Sequence, residues 1–151
     1  QIKENKIKEK CVNTVINEFY DACLLHFPEQ RIVLTNLAST SSKISSDSLL
    51  LSALINLVQN AVDANRQNQS NQIEINVGES DGQLNIDIED TGAGFDLDLL
   101  DSLGHETIKS QKGMGIALFL SNTTVNKLGG KLIIANNQDV GAKVSVRLPL
   151  L

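Results

Sequence analysis

Residues 73–94, IEINVGESDGQLNIDIEDTGAG, hold the pattern from which the rest of the chain can be placed. Apolar side chains fall at Ile73, Ile75 and Val77, and again at Leu84, Ile86 and Ile88, with polar residues between them. That period of two belongs to strands with one buried and one wet face. Asp81-Gly82, inside the Gly78–Gln83 connection, tolerates the left-handed backbone of a tight turn, so the runs are expected to pair as an antiparallel hairpin. The hairpin's apolar face needs a cover, and its second strand runs straight into Asp90-Thr91-Gly92-Ala93-Gly94.

The cover is supplied by helical patterns on both sides. Upstream, Leu50, Leu51, Leu54, Ile55, Leu57, Val58, Ala61 and Val62 predict a helix capped by Asp47 or Ser48 and ending around Asn65 to Asn68. Farther upstream, Ile7, Cys11, Val15, Phe19 and Cys23 recur every four residues, predicting a helix from about residue 5 or 10 to 26, stopped near Pro28. Arg31 to Asn36 reads as a strand and Lys43-Ile44-Ser45 as a brief one. Downstream, residues 95–112 have weak periodicity, Met114 to about Leu128 reads as a helix stopped by Gly129-Gly130, and Lys131–Ala135 and Ala142–Leu148 read as strands. This order predicts a single α+β domain over 1–151, with three main helices on one face of a mixed, largely antiparallel sheet. A doubly wound fold would need more alternation of strand and helix.

Bulk properties agree. The 151 residues are 41% hydrophobic, with four Phe, one Tyr and no Trp, so the core is aliphatic. A net charge of -5 argues against a broad nucleic-acid surface. Cys11 and Cys23 fall in one expected helix about 18 Å apart along its axis, too far to bridge, and read as semi-buried apolar residues. No apolar run is long enough to span a bilayer. The chain opens on Gln1, which suggests a piece of a longer protein.

Three short motifs carry chemistry. Asn56 and Asn60 interrupt an apolar helix at a spacing that places them on one face, and buried amides require partners; Asp63 and Ala64 follow them. Asp90 ends a strand before Gly92 and Gly94, whose lack of a Cβ permits close backbone approach, and a carboxylate there can accept from an exocyclic amine. Read alone, this is equally an Asx turn. Gly113-Met114-Gly115 opens a helix, joining glycine amides to a helix N-terminus that attracts phosphate. Neither a dinucleotide-binding fingerprint nor a Walker A sequence is present.

Taken together, Leu57-Val58-Gln59-Asn60-Ala61, Asp90-Thr91-Gly92-Ala93-Gly94 and Gly113-Met114-Gly115-Ile116-Ala117-Leu118 resemble the N, G1 and G2 boxes of the ATPase family shared by sensor histidine kinases, gyrase B, Hsp90 and MutL. Gly129-Gly130 and Val146-Arg147-Leu148-Pro149 match the closing hairpin of a kinase ATP-binding domain, so the resemblance covers about residues 10–149. It implies a two-layer α/β sandwich binding ATP and Mg2+. By it, Asn60 is the metal ligand, Asn56 supports the same polar region, Asp63 stands behind the contacting residues or in an adenine-side water network, and Ala64 belongs to the nucleotide site. Asp90 receives the adenine amino group, Gly92 and Gly94 line the base pocket, and Gly113, Met114 and Gly115 face the phosphates. Residues 95–112 would be an ATP lid, with Lys109 of Thr107-Ile108-Lys109 meeting a phosphate. The lid lacks the family's paired phenylalanines.

The resemblance further implies a two-component sensor kinase, passing the γ-phosphoryl of ATP to a histidine on a separate dimerisation domain, with a response regulator downstream and a homodimeric parent. Gyrase-like relatives carry Glu where Asn56 stands, and an amide cannot take a proton from water or a hydroxyl. An imidazole acceptor needs no such base. NAVDA and GMGIALFL resemble the RegB/PrrB and nitrogen-regulation kinases. Neither His26 nor His105 has the surroundings of a phosphoacceptor, so the fragment is expected to bind ATP without completing autophosphorylation. It would be a cytoplasmic domain making no membrane contact itself, compatible with a parent in the bacterial inner membrane. The competing reading is a nucleotide-dependent interaction regulator, anti-sigma-like or a degenerate kinase domain.

Overall fold

The computed structural model describes residues 6–95 and 114–151, and the first element is one the periodicity missed. Lys8–Cys11 is a strand, β1, and the helix α1 begins only at Val12 and runs to His26. All four β1 residues are exposed, so no alternation marks the strand; it is held by antiparallel pairing to β3 (Lys43–Ser46) in a two-stranded sheet. The apolar stripe of α1 is accordingly Val12, Val15, Ile16, Phe19 and Cys23. The cysteines part company: Cys11 is exposed, while Cys23 is buried and its thiol is pushed up to about 12 by desolvation.

The main sheet has the order β2 (Arg31–Asn36), β4 (Gln72–Ser80), β5 (Gln83–Asp90), β7 (Ala142–Pro149), β6 (Lys131–Asn136). Only β2 and β4 run parallel, with helix α2 (Leu50–Gln67) in the crossover; the other neighbours are antiparallel. Ile73, Ile75, Val77, Leu84, Ile86, Ile88, Val144, Val146 and Leu148 are buried, as strict alternation requires. Each such side chain contributes roughly 1.5–3 kcal/mol. Glu74 and Asn76 alternate with them and are exposed. The hairpin turn is two residues, Asp81 (φ 53°) and Gly82 (φ 73°), shorter than the connection expected because both strands extend farther.

Helix α2 buries Leu50, Ala53, Leu54, Leu57, Val58, Ala61 and Val62 and packs on β4 and β5 as well as on α1 and α3 (Met114–Lys127). Ser121 of α3 donates to the Ala53 carbonyl at 3.2 Å, a buried link between the two helices. Asp47 sits just outside α2, accepting the Leu49 N–H at 2.9 Å, and its other oxygen lies 3.6 Å from Lys127 at the end of α3. Among the described residues, three helices lie over a mixed sheet, with the C-terminal half of α2 laid across the end of β5.

Candidate functional site

The last turns of α2 meet the end of β5 without room for intervening side chains. A Cβ built on Gly92 lies 2.6 Å from the Ala64 carbonyl carbon, so only glycine fits beneath the helix there. On the other side, Gly141 (φ 89°) precedes β7, and a Cβ on it would lie 1.9 Å from the Asp90 carbonyl oxygen. Asp90 is thus wedged between α2 and the start of β7 and is 7% exposed.

The carboxylate is used asymmetrically. Its Oδ1 accepts the Gly92 N–H at 2.9 Å and the Ala142 N–H at 3.2 Å, while Oδ2 has no partner among the described residues. Burial raises the carboxyl above its ordinary range, and the Gly92 and Ala142 N–H groups pull partly the other way. An oxygen kept free on an anchored, desolvated carboxylate is an acceptor waiting for a donor.

Asp90 and Asn60 line one cavity. The walls include Leu57, Ala61 and Ala64 of α2, Val144 of β7, and Gly94 and Phe95 beyond β5. Asn60 is 8% exposed, and its buried Nδ2 has no hydrogen-bond partner among the described residues. A buried donor left unpaired costs about 1–3 kcal/mol unless something outside the protein takes it. Asn136 holds the far wall, accepting the Phe95 N–H at 2.7 Å and donating to the Phe95 carbonyl at 3.0 Å. The cavity measures about 20 Å³, roughly the room of one water molecule, so a larger ligand needs a wall to yield.

Of the residues singled out from sequence, Asn60, Ala64, Asp90 and Gly94 line this one cavity, and Gly92 forms its seam with α2. Asn56 does not line it. One helical turn up, about 40° round from Asn60, it is exposed, so it carries none of the demand for partners that a buried amide makes. Asp63 is half-buried beside the cavity rather than in it, accepting from Gln59 Nε2 at 2.9 Å with Arg66 at 3.9 Å. Met114 and Gly115 form the start of α3; Lys109, Gly113 and the lid segment 96–112 lie outside the described residues, as does His105. His26 is exposed and donates through Nδ1 to the Ala22 carbonyl at 2.8 Å. No group of three or more His, Cys, Asp or Glu side chains among the described residues is arranged to hold a metal. Any cation here would rest on the Asn60 amide and on ligand oxygens.

Sequence reasoning missed Gly141, Asn136 and Asn65. Each acts through a partner far away in the chain: Gly141 on Asp90, Asn136 on Phe95, Asn65 on Thr91. For Asn65, an amide at a helix position that the apolar stripe would bury was a usable signal.

Comparison with known proteins bears on this geometry. Residues 46–151 match the family described as histidine kinase-, DNA gyrase B-, and HSP90-like ATPase. The chain is 31% identical over 99 residues to the sensor protein FixL of Bradyrhizobium diazoefficiens, covering 64% of this chain and 19% of that protein. It is 34% identical over 104 residues to the sensor histidine kinase CitA of Klebsiella pneumoniae, covering 66% and 19%. The chain therefore spans about a fifth of the length of these relatives. In fold it is similar to the catalytic domain of histidine kinase ThkA, with a TM-score of 0.76 at 20% identity over 95% of this chain and 97% of that one.

Proposed function

The chain belongs to the histidine kinase-, DNA gyrase B- and HSP90-like ATPase family, and from that premise we propose that it is the ATP-binding domain of a sensor histidine kinase. The observation that carries the reading is that Asp90, whose Oδ2 has no partner among the described residues, and Asn60, whose Nδ2 likewise has none there, line one cavity. Asp90 accepts an N–H of the adenine exocyclic amine. Guanine presents a carbonyl oxygen at that position, and two acceptors repel. Leu57, Ala61 and Val144 supply the apolar walls that a base needs.

Asn60, on the same cavity, is suited to the phosphates. Its amide is neutral: the Nδ2, without a partner among the described residues, is a donor suited to a phosphate oxygen, and a Mg2+ ion would be held by the amide oxygen. Mg2+, when bound, supplies neutralisation of the phosphate charge. On the strength of the motif alone, Gly113, Met114 and Gly115 are assigned to the phosphates, and Lys109 to a γ-phosphate contact within a lid of residues 95–112. Asp63, which contacts Gln59 and Arg66, keeps the rim of α2 in place rather than touching the base.

The reaction is transfer of the γ-phosphoryl group to a histidine on a dimerisation domain elsewhere in a homodimeric parent. The imidazole nitrogen forms the N–P bond as the P–O bond to the ADP leaving group breaks. No carboxylate base is needed, in keeping with an exposed amide at Asn56. A response regulator takes the phosphoryl group next, and a membrane-bound parent is compatible with this fragment, none of whose described helices is long and apolar enough to cross a bilayer.

Calorimetric titration with ATP, with and without Mg2+, tests the binding half of the reading. Wild type is expected to bind, Asp90→Asn to lose base recognition and Asn60→Ala to lose the Mg2+-dependent part. Equal affinities in all three would overturn it. Supplying a histidine-bearing dimerisation domain in trans tests the transfer; tight binding without transfer would favour a nucleotide-dependent interaction regulator.

A further inference from the structure

We propose that Asn65 is the positioning residue of the adenine site: it fixes Thr91, and through Thr91 the direction in which the Asp90 carboxylate points. The proposal rests on the ATP-binding reading and adds to it a residue that does not line the cavity.

Thr91 follows Asp90 where β5 ends, so the sheet no longer holds its backbone. Side chains take over. The Thr91 N–H donates to Asn65 Oδ1 at 2.9 Å, and the Thr91 hydroxyl reaches the same oxygen at 3.3 Å. The Thr91 carbonyl accepts from Asn68 Nδ2 at 2.9 Å and Ser70 Oγ at 3.2 Å. Both polar groups of this peptide are therefore held by residues of the α2–β4 corner.

Asn65 can do this because it is itself immobilised. It is fully buried, and its Nδ2 donates to the Gln72 carbonyl at 2.8 Å and to Gln30 Oε1 at 3.0 Å. Donation on one side and acceptance on the other require an amide; a carboxylate accepts only, and an apolar side chain does neither. Asp90 and Gly92 flank the clamped residue, and the Gly92 N–H is one of the two donors that fix Asp90 Oδ1. Freeing Thr91 lets Gly92 swing, and the carboxylate's second oxygen loses its aim. Asn65 thereby ties the helix bearing Asn60 to the strand bearing Asp90.

The test is the ratio of ATP to GTP affinity, measured by calorimetry with Mg2+ present and well below each variant's unfolding temperature. A residue that only stabilises the fold lowers the unfolding temperature and leaves that ratio alone. Asn65→Ala is expected to bring the ratio down about tenfold, with faster hydrogen exchange at the Thr91 and Gly92 amides. Asn68→Ala removes one exposed bond to Thr91 without threatening the fold, and should lower the ratio by a few-fold. If Asn65→Ala does not fold, Asn68→Ala decides. An unchanged ratio together with unchanged exchange in the folded variants overturns the proposal while leaving the ATP-binding reading intact. A wild-type chain with no preference for ATP overturns both.

Discussion

Asn60 and Asn65 are the same residue type on the same helix and both are buried, yet they stand in opposite surroundings. Around Asn65 the protein meets the amide's demands: Gln30 and Gln72 accept from it, and Thr91 donates to it. Around Asn60, at a cavity wall, Nδ2 has no partner among the described residues. A satisfied buried amide is part of the fold, whereas an unsatisfied one marks a position held open for something the chain does not contain. Five residues of one helix separate structure from site.

The sharpest way to break this contrast is to remove each amide and measure stability. Asn65→Ala strands the Thr91 N–H and the Gln72 carbonyl, both reached from a fully buried side chain, and should lower unfolding free energy by about 3 kcal/mol. Asn60→Ala removes an orphan and should change stability by no more than about 1 kcal/mol. Urea unfolding curves with equal slopes would report the difference as a shift of midpoint. Similar losses in the two variants would show that the two amides do the same job.

Binding should reverse the ranking between site and scaffold. Asp90→Asn keeps an Oδ1 for the Gly92 and Ala142 amides but turns Oδ2 into a donor facing the adenine amine. A lost charge-assisted bond plus donor–donor repulsion should weaken ATP by about thirtyfold or more, read by calorimetry. Asn60→Ala acts on the phosphate side and should reduce only the increment that Mg2+ adds to ATP affinity, by about tenfold. A loss of equal size without Mg2+ would mean that Asn60 contacts the nucleotide and no metal.

The same contrast marks how much was legible in the sequence. Strand periodicity and the helix patterns placed β2, β4, β5, β6, β7, α2 and α3 to within a few residues, because burial on one face imposes the alternation directly. β1 was not legible: its four exposed residues carry no alternation and it exists through its pairing with β3. In the site, Asn60 and Asp90 could be picked out because motif spacing constrains them. For Asn65 the helix pattern could signal burial but not its role, since that role depends on Thr91, a contact that forms only when α2 crosses β5. Gly141 is similar, reaching Asp90 only because β7 pairs with β5. Local pattern reports which residues are buried; which buried polar groups find partners is decided by contacts distant in the chain.

The smallest effect separates Asp90 as a site residue from Asp90 as a structural one. Burial raises its carboxyl above the ordinary value of 3.8, so the folded state holds its proton over a range where the unfolded chain has released it. Stability therefore falls as pH climbs from about that value through the folded one, and the penalty is fully present above the folded value. Asp90→Asn cannot titrate. Its stability relative to wild type should be flat below the unfolded value, increase across the same window and level off above the folded value, while ATP binding is weakened. The Gly92 and Ala142 N–H groups oppose this trend, since they favour the charged carboxylate. Should the relative stability of the variant decline with rising pH instead, those two hydrogen bonds outweigh desolvation, and the carboxylate is retained for the turn it ties rather than for the ligand it faces.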